Sequence, residues 1–141
     1  MVKLIMGLKG SGKTKRLIGD INDSVKNENG SIVCIEKGTK LRYDIDIHVR
    51  LIDFEEYMQG GSLRFLKGFI SGLHAGNFDI SHIFIDSFYK LVKEGSGMAE
   101  VEDFVRWCED FGKKNDIDFT LAVSDDPAAA TDYLKENYLN K

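Results

Sequence analysis

The sequence has few cysteines and no long apolar run, and these absences exclude several classes of protein. Its 141 residues include two cysteines, Cys34 and Cys108, which form no C-x-x-C pair, so no zinc site is indicated. Each lies in an apolar pattern, which predicts reduced core residues in a cytoplasmic protein. No apolar segment approaches the length of a membrane span, and glycines and lysines from position 7 onward leave no signal-peptide core.

The sequence also has no excess of positive charge. Its formal net charge is −4, which gives no general attraction to nucleic acid or to an anionic membrane. Hydrophobic residues make up 43% and charged residues 30% of the chain, a balance that argues against disorder. We therefore expect a single folded domain over residues 1–141, with no membrane partner and no clear nucleic-acid signal.

The most informative feature is a glycine-rich segment that follows the first apolar run. It fits G-x-x-x-x-G-K-[ST], the Walker A phosphate-binding loop, and consists of Gly7, Leu8, Lys9, Gly10, Ser11, Gly12, Lys13 and Thr14. The glycines let backbone N–H groups face inward, next to the positive end of the following helix. We expect Lys13 to contact the β- and γ-phosphates of ATP or GTP, and Thr14 to bind Mg²⁺. The alternative is a glycine-rich turn without a ligand, and Lys9 either contacts phosphate or faces water.

Strand and helix patterns alternate along the chain. Predicted strands cover residues 2–6, 31–35, 45–52, 83–86 and 119–123. Helical patterns cover residues 17–25, 63–73 and 101–111, with a short turn over 54–58 and a last helix from Asp126 to Tyr138. Ser62 is the predicted cap of the second helix, and glycines at 60–61 and 95–97 mark loops. This alternation predicts an α/β fold, a three-layer sandwich with a mainly parallel sheet.

A second chemical signal is the apolar run that ends in Asp86. The order Ile83, Phe84, Ile85, Asp86 is typical of a Walker B motif, whose carboxylate holds Mg²⁺ directly or through water. The alternative is an ordinary buried strand that ends in an acidic residue. Ser87 follows, where many ATP-hydrolysing proteins of this type have a glutamate that orients water. Ser87 in place of this glutamate predicts slow hydrolysis.

With these two motifs, the sequence resembles P-loop NTPases of the RecA-like group, and most of all the core of type II thymidine kinases. Their G-x-M-x-S-G-K-[ST] loop matches residues 7–14, with Lys9 in place of Met. Their Lys-x-x-x-Asp-x-Arg-Tyr segment is similar to residues 37–43, which are one residue shorter and lack the Asp. The resemblance implies a P-loop NTPase fold and binding of ATP with Mg²⁺. The sequence has no counterpart of their zinc lobe, so thymidine is not implied as a substrate.

Two further polar positions follow predicted strands. RecA-like ATPases often place a water-orienting glutamate at the end of the strand that here leads to Glu36, so Lys13 and Glu36 are the candidate catalytic residues. The alternative for Glu36 is an exposed side chain at a strand end. Ser124 and Asp125 close the strand expected beside the glycine-rich loop, where they act either as a sensor of the γ-phosphate or as a helix-capping turn.

Three functions remain open at this stage. The chain is an ATPase that acts on a protein partner or as a homo-oligomer, a small nucleoside or nucleotide kinase whose pocket includes Phe88 and Tyr89, or a nucleotide sensor with little catalysis. Ser87 favours the sensor. No spacing links a histidine to a carboxylate, so no histidine is predicted to bind a metal.

Overall fold

The chain folds as the predicted alternation of strands and helices, and we describe it from a computed structural model of residues 1–57, 61–93 and 97–139. The strands are β1 (Val2–Gly7), β2 (Ser31–Glu36), β3 (Arg50–Asp53), β4 (Ile80–Ile85) and β5 (Asp118–Ser124). The helices are α1 (Lys13–Asn27), α2 (Leu63–Gly76), α3 (Phe88–Leu91), α4 (Met98–Asn115) and α5 (Asp132–Asn137). The expected break at Gly60, the loop residues Gly95 and Ser96, and Met58 of the predicted turn lie outside the described residues.

All five strands are parallel and lie in the order β1-β5-β4-β2-β3, which confirms the predicted parallel sheet. β5 lies between β1 and β4, and its register places Ser124 opposite Gly7. On the other side of β4, Ile85 lies opposite Ile35. Because parallel strands all end at the same edge, the segments that follow Gly7, Ile35, Ile85 and Ser124 meet along one side of the sheet.

The two faces of the sheet bury different side chains, as the period of two in a strand requires. On one face, Ile5 and Cys34 pack with Leu17 and Ile21 of α1. On the opposite face, alternate strand residues pack with α2, α4 and α5. This arrangement is compatible with a three-layer sandwich. Cys34 and Cys108 are buried thiols, which confirms their predicted place in the core.

Local caps explain where several elements begin. Ser62 Oγ accepts a hydrogen bond from the amide of Phe65 at 3.1 Å, so the predicted cap of α2 is confirmed. Asp126 also caps, but only the short 3₁₀ turn Pro127–Ala129. The expectation of one helix from Asp126 to Tyr138 is therefore wrong. The chain becomes extended at Ala130, and Thr131 caps the separate helix α5.

The predicted strand over residues 45–52 is also wrong for most of its length, since β3 begins at Arg50. Ile45 is buried on the α1 side of the sheet, whereas Ile47 is 92% exposed. Asn22 of α1 binds this segment on both sides, with its Nδ2 donating to the carbonyl of Asp44 at 3.1 Å and its Oδ1 accepting from the amide of Asp46 at 2.9 Å. These hydrogen bonds hold the segment against the helix as a turn. Because each joins residues more than 20 positions apart, no local sequence pattern predicts them.

Within the three described ranges, no helix combines the length and the apolar character that crossing a membrane requires.

Candidate functional site

The loop between β1 and α1 depends on two glycines in a left-handed conformation. Gly10 has a φ of 87° and Gly12 a φ of 86°, values that L side chains adopt only at a cost. Gly12 directly precedes Lys13, the first residue of α1. Ser11 donates its amide to the carbonyl of Leu8 at 3.0 Å, which closes a tight turn. The loop therefore turns back and leads directly into α1. The first amides of a helix have no hydrogen-bond partner within the helix.

A third glycine lets the loop lie against the end of β1. A Cβ atom at Gly7 would collide with the Oγ of Ser11, so any larger residue there would displace the turn. By contrast, a Cβ at Gly10 or Gly12 would enter open space. Gly7 is therefore needed for close packing at the end of β1, whereas Gly10 and Gly12 are needed for their left-handed backbone conformation.

Positive charge surrounds the start of α1. The first turn carries Lys13, Lys15 and Arg16, and it coincides with the positive end of the helix dipole. Lys13 is half-buried, whereas Lys9, Thr14 and Lys15 are exposed. An open cleft of about 320 Å³ lies beside the loop, within the usual size range of a small-molecule site. Its lining consists of Ile5, Met6, Gly7, Leu8, Ser11, Gly12, Lys13, Arg16 and Pro127. Such a cleft favours an anion.

The two acidic candidates lie next to each other on neighbouring strands. Asp86 follows β4, and its amide donates to the carbonyl of Ile35 at 3.0 Å, directly before Glu36. Glu36 is only 2% exposed, so the alternative of an exposed glutamate is wrong. Burial raises the pKa of Glu36 and the charge of Asp86 raises it further, while the amide of Leu41 opposes both effects. That amide donates to Glu36 Oε2 at 3.1 Å, so Glu36 also holds the turn after β2.

β5 separates Asp86 from the glycine-rich loop. With two strand spacings between β1 and β4, the backbones of these strands lie about 10 Å apart. Ser124 is exposed at the end of β5, in register with Gly7, which confirms that its strand lies beside the loop strand. Asp125 forms a further bridge to Gly7 and accepts a hydrogen bond from the hydroxyl of Tyr89 at 2.8 Å. The sheet edge thus brings residues 7–14, Ser124, Asp86 and Glu36 to one side of the molecule.

The residues after Asp86 form a tight turn. Ser87 has a φ of 55°, a left-handed conformation that is rare outside glycine, and it leads directly into α3. Phe88 is fully buried and stacks on Phe104 with ring centroids 5.3 Å apart, so it does not line a substrate pocket as the kinase alternative required. Tyr89 is half-buried at the sheet edge, where burial and Asp125 raise the pKa of its hydroxyl. Of the two aromatic residues, only Tyr89 reaches the site.

Sequence reasoning missed a group of lysines at the same edge. Lys37, Lys90 and Lys93, which we call the lysine cluster, line a small cavity together with Glu55. Lys37 Nζ lies 3.9 Å from Glu55 Oε1, and the proximity of Lys37 lowers the pKa of Lys93. Lys37 follows β2, whereas Lys90 lies in α3 and Lys93 lies just after it, so only the shared sheet edge would have linked Lys37 to the other two.

No protein-family model matches the chain, and a search of curated proteins finds no match.

Proposed function

We propose that the chain is a P-loop protein of the RecA-like group that binds ATP or GTP together with Mg²⁺ through residues 7–14. The main support for this proposal is the path of the backbone through the loop. Gly10 and Gly12, both at positive φ, bring the chain from the end of a parallel strand into the first turn of a helix that carries Lys13. A glycine-rich turn, a helix N-terminus and a lysine together match the needs of a triphosphate.

The metal in this proposal is held by Thr14 and Asp86. A hydroxyl and a carboxylate are the hard oxygen donors that Mg²⁺ prefers, and this ion usually keeps several water ligands. Thr14 lies in the first turn of α1 and Asp86 follows β4, so both donors come from segments that begin at the same edge of the sheet. The residues present therefore fit the ion. Bound Mg²⁺ would neutralise charge on the phosphates.

The groups around Asp86 support slow hydrolysis that depends on a partner or an oligomer. Ser87 lies where a carboxylate would be needed, and a hydroxyl is a poor base near neutral pH. Glu36, the remaining candidate base, is buried and accepts a hydrogen bond from Leu41. A partner that frees this carboxylate, or supplies its own, would raise the rate. Until then the chain behaves as a nucleotide sensor.

A phosphotransferase is the second candidate, and the lysine cluster is the observation that favours it. Among the described residues, the cavity is lined by three lysines, Lys37, Lys90 and Lys93, and by one carboxylate, Glu55, at the sheet edge that also carries residues 7–14. This excess of positive charge suits an anionic phosphoryl acceptor. Transfer of radioactive phosphate from ATP to a panel of nucleosides and nucleotides would distinguish this activity from simple hydrolysis.

The test of the main proposal is a nucleotide titration by calorimetry. We expect one site per chain that binds ATP or GTP more tightly than the corresponding monophosphate, because the loop contacts the β- and γ-phosphates. Mg²⁺ should tighten the binding of the triphosphate. No heat of binding for any triphosphate, from a sample with the far-UV circular dichroism of an α/β protein, would refute the proposal.

A further inference from the structure

A second group of polar side chains lies at the opposite edge of the sheet from residues 7–14. Glu28 follows the end of α1, His82 lies near the start of β4, and Asp118 is the first residue of β5. Each offers one ligand atom, and these three atoms all lie within 4.8 Å of one another. We propose that Glu28, His82 and Asp118 bind a divalent transition-metal ion such as Zn²⁺, at a site separate from the nucleotide.

The spacing of the two inner ligands suits a metal ion. His82 Nδ1 lies 2.9 Å from Glu28 Oε2. Two neighbouring ligands of a tetrahedral zinc ion at about 2.0–2.1 Å are about 3.3–3.4 Å apart. An ion can therefore bind both atoms after a displacement of a few tenths of an ångström. When it does, any proton on Nδ1 passes to solvent water and the lone pair of that nitrogen binds the ion.

Both inner ligands are already oriented by other side chains. His82 Nε2 lies 2.8 Å from Thr120 Oγ1, a buried partner for the ring nitrogen that faces away from Glu28. Ser81 donates its hydroxyl to Glu28 Oε1 at 3.0 Å. The ring of His82 also stacks on Phe84, with centroids 4.0 Å apart and planes 10° apart. Contacts of this kind fix ring orientation and tautomer in metal sites, and removing one commonly weakens metal binding.

Charge and access also favour a cation. An open cleft of about 210 Å³ borders His82 and Glu28 and has room for water ligands, and Asp20 and Asp23 also line it. Asp20 is paired with Lys3 at 3.0 Å. Asp118 contacts the α-ammonium group of Met1 at 3.1 Å, in an exposed ion pair of the kind that contributes little. A divalent ion displaces such a partner or shares the carboxylate with it.

The donor set indicates which ion would bind. One imidazole and two carboxylates suit Zn²⁺, Co²⁺ or Mn²⁺, whereas Mg²⁺ and Ca²⁺ prefer sites built from oxygen alone. The site is therefore chemically distinct from the one proposed at Thr14 and Asp86. Its ligands come from the end of α1 and from two strands, so the bound ion would hold the helix against the sheet.

The test is a titration of the full chain with Co²⁺ and Zn²⁺, after treatment with EDTA and without nucleotide. We expect one equivalent of Co²⁺ to give visible d–d absorption, and Zn²⁺ to displace it and raise the melting temperature. Glu28→Gln and Asp118→Asn should each weaken binding at least tenfold, as should His82→Gln. His48→Gln is the matched control, because this exposed histidine contacts Asp46 2.7 Å away, outside the cluster.

The outcomes separate this proposal from the proposed nucleotide site. If His82→Gln does not fold, Glu28→Gln and Asp118→Asn decide the matter. Unchanged Co²⁺ binding in both carboxylate variants, or equal loss in His48→Gln, overturns the metal site. Because the titration contains no nucleotide, a failed ATP titration leaves this result unchanged, and a failed Co²⁺ titration leaves the proposed nucleotide site unchanged.

Discussion

Glu36 and Asp86 lie side by side at the ends of two neighbouring parallel strands, and the carboxylate of Glu36 is almost completely buried. Glu36 thus has a structural role and is also the candidate base. Glu36 holds the turn after β2 through the amide of Leu41, and it lies beside the proposed metal ligand. Its substitution should therefore affect stability and hydrolysis in separable ways.

The first prediction concerns stability and pH. Burial, reinforced by the charge of Asp86, raises the pKa of Glu36 above its ordinary value of 4.5. A raised pKa in the folded state means that this group's contribution is fully present below pH 4.5 and is lost as the pH rises through the folded-state value. The free energy of unfolding of Glu36→Gln, relative to wild type, should therefore rise between about pH 4 and about pH 7.

Urea unfolding at the two pH values measures this difference. The exposed carboxylate of Glu56 provides a control, since Glu56→Gln should leave the pH dependence close to that of wild type. A Glu36→Gln curve that runs parallel to the wild-type curve would show that Glu36 is not desolvated in solution.

The second prediction concerns catalysis. We expect wild-type hydrolysis without a partner to be slower than about 1 s⁻¹, the low end of ordinary enzyme turnover. Glu36→Gln should abolish the residual activity and leave ATP binding intact, if Glu36 is the base. Ser87→Glu should raise the rate by placing a carboxylate next to Asp86, whereas Ser87→Gly relieves the left-handed conformation without adding a base and should not.

Phosphate release under single-turnover conditions tests all three variants. A fast wild-type rate, or a rate in Ser87→Gly that equals the rate in Ser87→Glu, would contradict this assignment of the base.

The third prediction compares Gly12 and Gly19, two positions at which an added Cβ atom would enter open space. Gly12→Ala forces a φ of 86° on a residue with a Cβ atom, which should cost about 1–2 kcal/mol and weaken nucleotide binding. Gly19→Ala lies within α1 and should instead stabilise the protein by about 0.5–1 kcal/mol. Thermal unfolding with and without ATP measures both effects. Equal stability of the two variants would show that the loop does not hold Gly12 in this conformation.

The fourth prediction concerns the metal ligand after β4. Asp86→Asn keeps the size of the side chain and removes its charge. In excess EDTA, the variant and wild type should bind ATP with similar affinity, while the tightening caused by Mg²⁺ should be lost in the variant. Calorimetric titrations with and without Mg²⁺ check this. A full Mg²⁺ effect in Asp86→Asn would mean that the ion is held by other residues.

The parts of the fold with local signals could be predicted from the sequence. Their signals are the periodic spacing of apolar residues, glycines and capping side chains, all within a few residues of one another. Such signals predicted the strand before Gly7, the helix after Lys13, the strand before Asp86 and the cap at Ser62. The position of β5 beside β1 also followed from the expected fold, and the register of Gly7 with Ser124 confirms it.

Features set by distant contacts could not be predicted. The alternation of Ile45, Ile47 and Val49 is typical of a strand, but Asn22 holds this segment against α1 instead. The burial of Glu36 depends on the turn that its own carboxylate organises. Glu28 and His82 are 54 residues apart in sequence, and only the packing of α1 on the sheet brings them together.

The central claim is that residues 7–14 bind the phosphates of a nucleotide, and the most direct measurement is ATP affinity by calorimetry in Lys13→Ala. Loss of a charge-assisted contact predicts weaker binding by about 2–3 kcal/mol. Lys26→Ala, at the far end of α1, is the matched control and should bind like wild type. An unchanged affinity in Lys13→Ala would contradict the proposed phosphate site.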